Sequence, residues 1–487
     1  MDKIRAEIIF LITLIMCLPS LSIGEEVRYR QVRALIDLRS TMSDGVHTIE
    51  SLVSTAREKG YEVVVINDHD ILAMEYGVSP FRNLLKKRVE LPSIHVSGIR
   101  GYLQAIKGAR AKYPDMIVIP GTESAPFYYW TGSPLKKNLT AHNHERRILT
   151  MGMEQPEDYE QLPVIHNKYV KKYFTLAFPE IILMVILFIV SVMLIRWRGW
   201  YRIVGIVLII WVAFSIADRS HLRSSPFDQY HGDQGIAPYQ LFIDYVEKRG
   251  GLTYWNYPET QSGVRKLGYI YVDTPPYPHV LKESLNYTGF AVLYGDRITV
   301  TEPGNLWDKV LGEYCTGLRT RPVWGIATAD FHEEGGSGET LGNYTTVLLV
   351  KQSTQAEVMN ALKQGRCYAY RGRYPQSVVM EEFSVGSSLN VAAKGYSGES
   401  IQLEGYPRIK IVLKSDKDKG GDNQVKVRLI RRGEVITTFE GALPMAVEYE
   451  DKEIDRNNKS YYRFDMIGAG TLVSNPIFVD AGKPTDS

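Results

Sequence analysis

"EVVVINDHD", residues 62–70, runs four apolar residues, Val63 to Ile66, straight into Asn67, Asp68, His69 and Asp70. Three further stretches repeat the design, an apolar run that ends in polar groups: "MIVIPGTE" (116–123), "GGLTYWNYPE" (250–259) and "RPVWGIATADFH" (321–332). Near-continuous apolar runs of this length suit strands buried on both faces, as in a parallel sheet with helices outside. Between 36 and 70, "TIESLVSTAREKG" supplies the crossover helix: Thr48 caps its start, Ile49, Leu52, Val53 and Ala56 form its apolar stripe, and Gly60 ends it. Functional groups gathered at the C-terminal ends of strands are what a β/α barrel provides.

The chain has 487 residues, too many for one ordinary domain, with 57 Lys plus Arg against 55 Asp plus Glu. So balanced a charge gives no basic field for nucleic acid, and no nucleic-acid partner is expected. Of three cysteines, Cys17 lies in the N-terminal apolar stretch, which leaves Cys315 and Cys367 to form at most one disulfide. Residues 1–24 place Lys3 and Arg5 ahead of an apolar run and read as a signal peptide or an N-terminal anchor. Apolar runs from Tyr173 to Ile195 and from Tyr201 to Ala217 flank "RWRGW", and the second is the shorter. Arginines and tryptophans at that tight turn predict a transmembrane hairpin, 173–217, with its turn in the cytoplasm. Parity then puts 25–172 and 218–487 together on the extracytoplasmic side of the cytoplasmic membrane.

In order, "SDG" (43–45), "NDHD" (67–70), "IPGTE" (119–123), "ADFH" (329–332) and "ALKQGRCYAYRG" (361–372) resemble the polymerase and histidinol phosphatase (PHP) family. The resemblance implies a distorted (β/α) barrel in two parts, 25–172 and 218–375, interrupted by the hairpin. It also implies metal-dependent phosphoester hydrolysis with up to three ions. Matched to the family's ligands, Asp44, His69 and His332 form one metal position. Glu123 and Asp330, with Asp37, are the carboxylates of a second. A further His is expected just before an apolar strand, and "LTAHNHERRILTMG" offers His142 and His144, of which His144 is preferred, although simple alignment puts Arg147 there. The family's His-x-His is Asp37 and Arg39 here, and its His-Pro is Tyr257-Pro258. Arg39 offers only donors, so it is read either as a clamp for a substrate phosphate or as a salt bridge standing in for a lost ion. Asp330 and Asp68 complete the catalytic candidates, Asp68 as support for His69.

These losses imply one or two ions, zinc, manganese or iron, rather than three. The function expected is a metal-dependent phosphoesterase acting on a small phosphorylated substrate or a lipid headgroup. The alternative is a non-catalytic PHP-like binding or scaffolding module at the membrane. Beyond residue 375, "RIKIVLKS", "QVKVRLIRRGEVITTF" and "SYYRFDMIG" alternate apolar and polar residues, which predicts a β-sandwich over 376–487. "DKDKGGDNQ" (416–424) is read as a hairpin tip within it.

Overall fold

A computed structural model describes residues 29–170, 178–219, 225–335, 340–372, 378–389, 394–415 and 423–480. The N-terminal stretch 1–24 lies outside them, as does most of the 416–424 tip. The architecture is mixed α/β, built on one curled sheet of 15 strands. Seven strands make the curl: β1 (Arg30–Leu38), β2 (Val63–Ile66), β3 (Ile117–Ser124), β4 (Arg147–Met151), β5 (Leu252–Asn256), β6 (Gly289–Leu293) and β7 (Trp324–Ala327). Their spatial order is their chain order. All run parallel except β4, which is antiparallel to both neighbours. That inversion distorts the regular β/α alternation.

Beyond β7 the chain returns to β1. Ala329 N donates to Ile36 O (2.9 Å), Phe331 N to Asp37 O (3.1 Å) and Arg39 N to Phe331 O (2.9 Å). Asp330 and His332 are thereby laid beside the end of β1. Outside the curl, α1 (Ile49–Glu58) forms as its pattern predicts: Thr48 Oγ1 accepts from Ser51 N, and Ile49, Leu52, Val53 and Ala56 are buried. Each fully buried aliphatic of this kind contributes about 1.5–3 kcal/mol. Gly121 in "IPGTE" is required by close approach, since a Cβ there would lie 2.1 Å from Thr150 O. Tyr254 and Trp255 on β5 are fully buried core aromatics.

On its other side β1 pairs with β8 (Tyr344–Val350) and β8 with β9 (Cys367–Arg371). The strand Gly470–Ser474 pairs with β9, so the sheet runs on without a break into the C-terminal strands. A four-stranded sheet that includes Val378–Ser387 and Pro407–Ser415 covers these strands. Phe383, Ile411 and Leu413 pack there with Val427, Phe464 and Met466 in a second core. The predicted sandwich is therefore half its own sheet and half an extension of the curl. Cys315 and Cys367 are free, so the disulfide considered above is not formed.

Two antiparallel helices, Phe178–Arg196 and Trp200–Arg219, stand apart from the curl. Among the described residues, one helix, Trp200–Asp218, is long and apolar enough to cross a membrane, while the apolar stretch of its partner, Ile181–Arg196, is shorter. The second helix is longer than its apolar run suggests, because it begins at Trp200 and continues through Asp218, and the start of the first run, 173–177, lies outside the described residues.

A buried ion pair locks the C-terminal strands to α4 of the outer layer (Leu306–Cys315, after α2, Ile99–Lys112, and α3, Ala237–Lys248). Arg463 is fully buried, donates to both Asp308 oxygens (2.7 and 2.6 Å) and lies over the Trp307 ring. Asp308→Ala leaves that guanidinium uncompensated and should cost about 3–5 kcal/mol. Chemical denaturation of the full chain in detergent measures it, and a change under about 1 kcal/mol contradicts the lock.

Candidate functional site

The strand ends converge on one buried cluster. Arg39, 1% exposed, lies just past β1, with Nη1 2.9 Å from Asp37 Oδ1 and Nη2 2.8 Å from Glu123 Oε2 and 3.3 Å from Asp330 Oδ1. Asp37 and Arg39 meet because β1 is irregular there: its pairing to β2 shifts between Leu35 and Leu38, and Asp37 has φ 72°. Tyr257 (φ 46°) and Asp330 (φ 48°) also take left-handed backbone. Non-glycine residues persist there only where surrounding structure imposes it.

Around this ion pair the remaining donors close in. Asn256 Nδ2, at the end of β5, donates to Asp37 Oδ2 (2.9 Å) and Glu123 Oε1 (2.8 Å), and the Tyr257 hydroxyl donates to Asp37 Oδ2. Burial holds the Tyr257 phenol protonated, well above its ordinary value. It is therefore a donor and no phenolate ligand.

Burial also raises the Asp37 carboxyl, only partly offset by Arg39, to about 7. Glu123 is opposed by the same burial, but the Arg39 and Arg147 charges outweigh it and draw it down to about 2. Arg39 stays charged, because three carboxylates more than repay its desolvation.

A second group sits at the lip. Asp44 Oδ2 lies 3.2 Å from His69 Nε2 and 3.4 Å from His332 Nε2, and His69 Nδ1 is 3.4 Å from Glu123 Oε2. Burial disfavours ionisation of both Asp44 and His332, yet their mutual hydrogen bond prevails. Asp44 falls well below the usual carboxylate range and His332 rises to about 9, which makes them an ion pair at neutral pH.

Asp68 is engaged elsewhere than expected. Its carboxylate accepts from Ser40 N (2.7 Å), Ser40 Oγ (2.6 Å) and Ser43 Oγ (2.6 Å), so it clamps the 40–45 turn rather than supporting His69. Gly45 closes that turn, where a Cβ would meet Arg39 O at 2.2 Å.

The structure thus brings together Asp37, Arg39, Asp44, His69, Glu123, Asp330 and His332. His142 is not among them, and His144 faces Tyr128, near enough to His69 and Arg147 for their charges to act on it. His142 spends both ring nitrogens on Thr131 Oγ1 (2.7 Å) and Asp273 Oδ2 (3.1 Å) in a separate small sheet. His144 is buried edge-on to Tyr128, where desolvation holds it neutral, down to about 3. Arg147 occupies the start of β4 instead, 3.8 Å from Glu123, with Nη1 buried and without a hydrogen-bond partner. Asn256 and Asp70 are the residues sequence reasoning passed over. Asn256 had a legible signal, a polar residue ending an apolar run. Asp70, adjacent to the motif His69, is fully buried and raised by desolvation to about 7.

The donor set does not fit the metal centre that the motifs imply. A fixed positive guanidinium holds the carboxylates a shared ion would need, and Tyr257 donates where an acceptor is required. Asp37, Glu123 and Asp330 thus hold Arg39 in the place of an ion, which leaves Asp44, His69 and His332 at the lip.

No protein-family model matches the sequence, and no curated protein is significantly similar to it. Solved structures overlap it loosely. A two-domain protein containing a predicted PHP-like metal-dependent phosphoesterase from Bacteroides vulgatus has TM-score 0.35 at 12% identity, over 90% of each chain. A protein assigned as a metal-dependent phosphoesterase from Bifidobacterium adolescentis has TM-score 0.28 at 15% identity, over 63% of this chain and 92% of its own. An amidohydrolase from Chromobacterium violaceum, with bound sulfate and no metal, has TM-score 0.28 at 11%, over 63% and 89%. Overlaps this loose transfer neither fold nor activity, and the reading below stands on this chain's own geometry.

Removing Arg39 exposes the electrostatics. With Arg39→Met, the Asp37 carboxyl, already raised to about 7, moves further above its unfolded value, and Glu123, drawn down to about 2 by Arg39 and Arg147, rises from there. Both upward shifts cost folded-state stability that grows, relative to the native chain, as pH rises and the carboxyls ionise. The variant should lose about 3–5 kcal/mol near neutral pH and clearly less at pH 5. Denaturation at pH 5 and pH 8 checks the sign; a deficit that shrinks as pH rises contradicts it.

Proposed function

We propose that this chain is a PHP-type barrel held at a membrane that binds a phosphorylated, anionic ligand rather than hydrolysing it. One observation carries the reading: the Arg39 guanidinium, buried and within 3.3 Å of Asp37, Glu123 and Asp330. It supplies internally the positive charge that bound cations would supply. A divalent ion placed there would face a fixed like charge at close range in a medium of low dielectric. Arg147 Nη1, buried and unpartnered, and protonated His332 are the groups that would meet a phosphate, and guanidinium geometry suits its oxygens.

The membrane part of the reading rests on the apolar helices. Large side chains cover their outer faces, among them Ile182, Phe188, Ile206 and Phe214. A soluble protein rarely exposes so broad an apolar surface. Arg196, Arg198, Arg202, Trp197, Trp200 and Tyr201 surround the turn, a pattern that supports a cytoplasmic turn with both folded parts on the extracytoplasmic side.

A second reading, a hydrolase with a single zinc, manganese or iron ion, is favoured by one spacing. The 3.2 and 3.4 Å from Asp44 Oδ2 to the two imidazoles match the edge, about 3.3 Å, of a tetrahedral site with bonds near 2.0–2.1 Å.

Elemental mass spectrometry and a phosphoester panel with added zinc, manganese or iron separate the two. The binding reading expects no stoichiometric metal and no turnover. It also expects glycerol phosphate to bind with about tenfold weaker affinity in Arg147→Ala, a loss near 1.4 kcal/mol. One equivalent of metal that disappears in His69→Ala, together with metal-dependent turnover, overturns it in favour of the hydrolase.

A further inference from the structure

We infer that the segment Val78–Leu91 is a second membrane contact, an amphipathic tip seated in the headgroup region of a bilayer with anionic lipid. This inference rests on the apolar helices spanning that bilayer, and on nothing about the barrel's ligand.

The tip is anchored to the membrane-spanning helix itself. Asp218, at the end of the helix, accepts from Asn83 N (2.6 Å) and Leu84 N (2.9 Å). Phe81 packs on Phe214, with ring centroids 5.7 Å apart. Phe214 lies four residues before Asp218, about 6 Å deeper along the helix axis. The 19 residues Trp200–Asp218 span about 28 Å, close to the full hydrocarbon thickness. Little helix is left over, so Phe214 must sit inside the boundary of the apolar layer. Phe81 reaches the same depth, and its neighbours in the loop cannot stand clear of the lipid.

Composition agrees with that position. Strands Ala73–Gly77 and Lys86–Glu90 pair to present the loop, and Val78 N donates to Leu85 O (2.9 Å) to close it. Val78, Leu84, Leu85, Val89 and Leu91 are exposed, Leu85 at 57%. Lys86 and Arg88 reach the buried Glu75 carboxylate, while Lys87 lies on the exposed surface. Apolar tips flanked by lysine and arginine are the pattern of an interfacial element, and each cation near an anionic surface strengthens it.

The test places an environment-sensitive fluorophore on single cysteines at positions 85, 206 and 135 of the full chain, with Cys17 and Cys315 replaced by serine. The chain is reconstituted into phosphatidylcholine vesicles with or without phosphatidylglycerol, and quenching by spin-labelled lipid is read. Position 206 reports the helix, and Leu135, 94% exposed on the barrel, is the aqueous control. The expected result is quenching at 85 and 206 but not at 135, with an increment at 85 from phosphatidylglycerol that is lost in Lys87→Glu. Quenching at 206 without quenching at 85 overturns this inference alone. Quenching at neither overturns the spanning reading and this inference with it. Quenching at 85 that ignores lipid charge overturns the anionic preference.

Discussion

Everything at the mouth of the curl is organised by one buried guanidinium. Arg39 reaches carboxylates delivered by three separate segments, the bulged end of β1, the end of β3 and the turn after β7. Without a cation, the buried Asp37 and Glu123 carboxylates would repel each other with little screening, and half-exposed Asp330 would add to that repulsion. With it, the strand ends can converge, and Asn256 and Tyr257 find acceptors. The left-handed backbone at Asp37, Tyr257 and Asp330 is the cost of aiming three side chains at a single point.

A guanidinium and a metal ion solve that problem differently. An ion leaves open coordination positions for substrate and water, whereas a guanidinium is saturated by the carboxylates that hold it and has no site for an incoming oxygen nucleophile to be activated. Both Arg39 Nη atoms are committed, since each faces a carboxylate and Nη1 also donates to Asn67 O, while the buried Nε has no hydrogen-bond partner. That commitment favours the internal ion pair over the substrate clamp among the two roles its sequence position suggested.

Much of the curl was legible, because apolar runs ending in polar residues report strand identity and strand direction together. Helix α1 was legible down to its cap, since Thr48 and a four-residue stripe are local signals. What failed was non-local. Asp37 and Arg39 stand two apart on the chain, a spacing that regular alternation would put on one side of a strand; they do meet, but through a bulge. Asp68 turned to Ser40 and Ser43 because the 40–45 turn folds back over β2, a contact no spacing announces. His142 was claimed by a sheet whose strand Ile270–Thr274 comes from far along the chain. The antiparallel β4 was hidden because burial on both faces looks alike in either direction.

The hairpin and the mouth are not independent features. The strand Ala73–Gly77, which carries the Val78–Leu91 tip, follows β2 by way of His69 and Asp70. Tyr128 and Trp130, which follow β3, bond to that strand at Glu75. Residues just after the apolar helices join the same patch, with Gln229 on Glu75 O and Tyr230 taking Gly77 N. The loop that meets the hairpin at Asp218 and Phe214 is therefore reached from the C-terminal end of β2, the end that leads into His69. On the membrane-spanning reading, one β-hairpin, Ala73–Gly77 with Lys86–Glu90, links the strand end that leads into His69 to the helix end at Asp218, so the anchor and the site are mechanically joined through it.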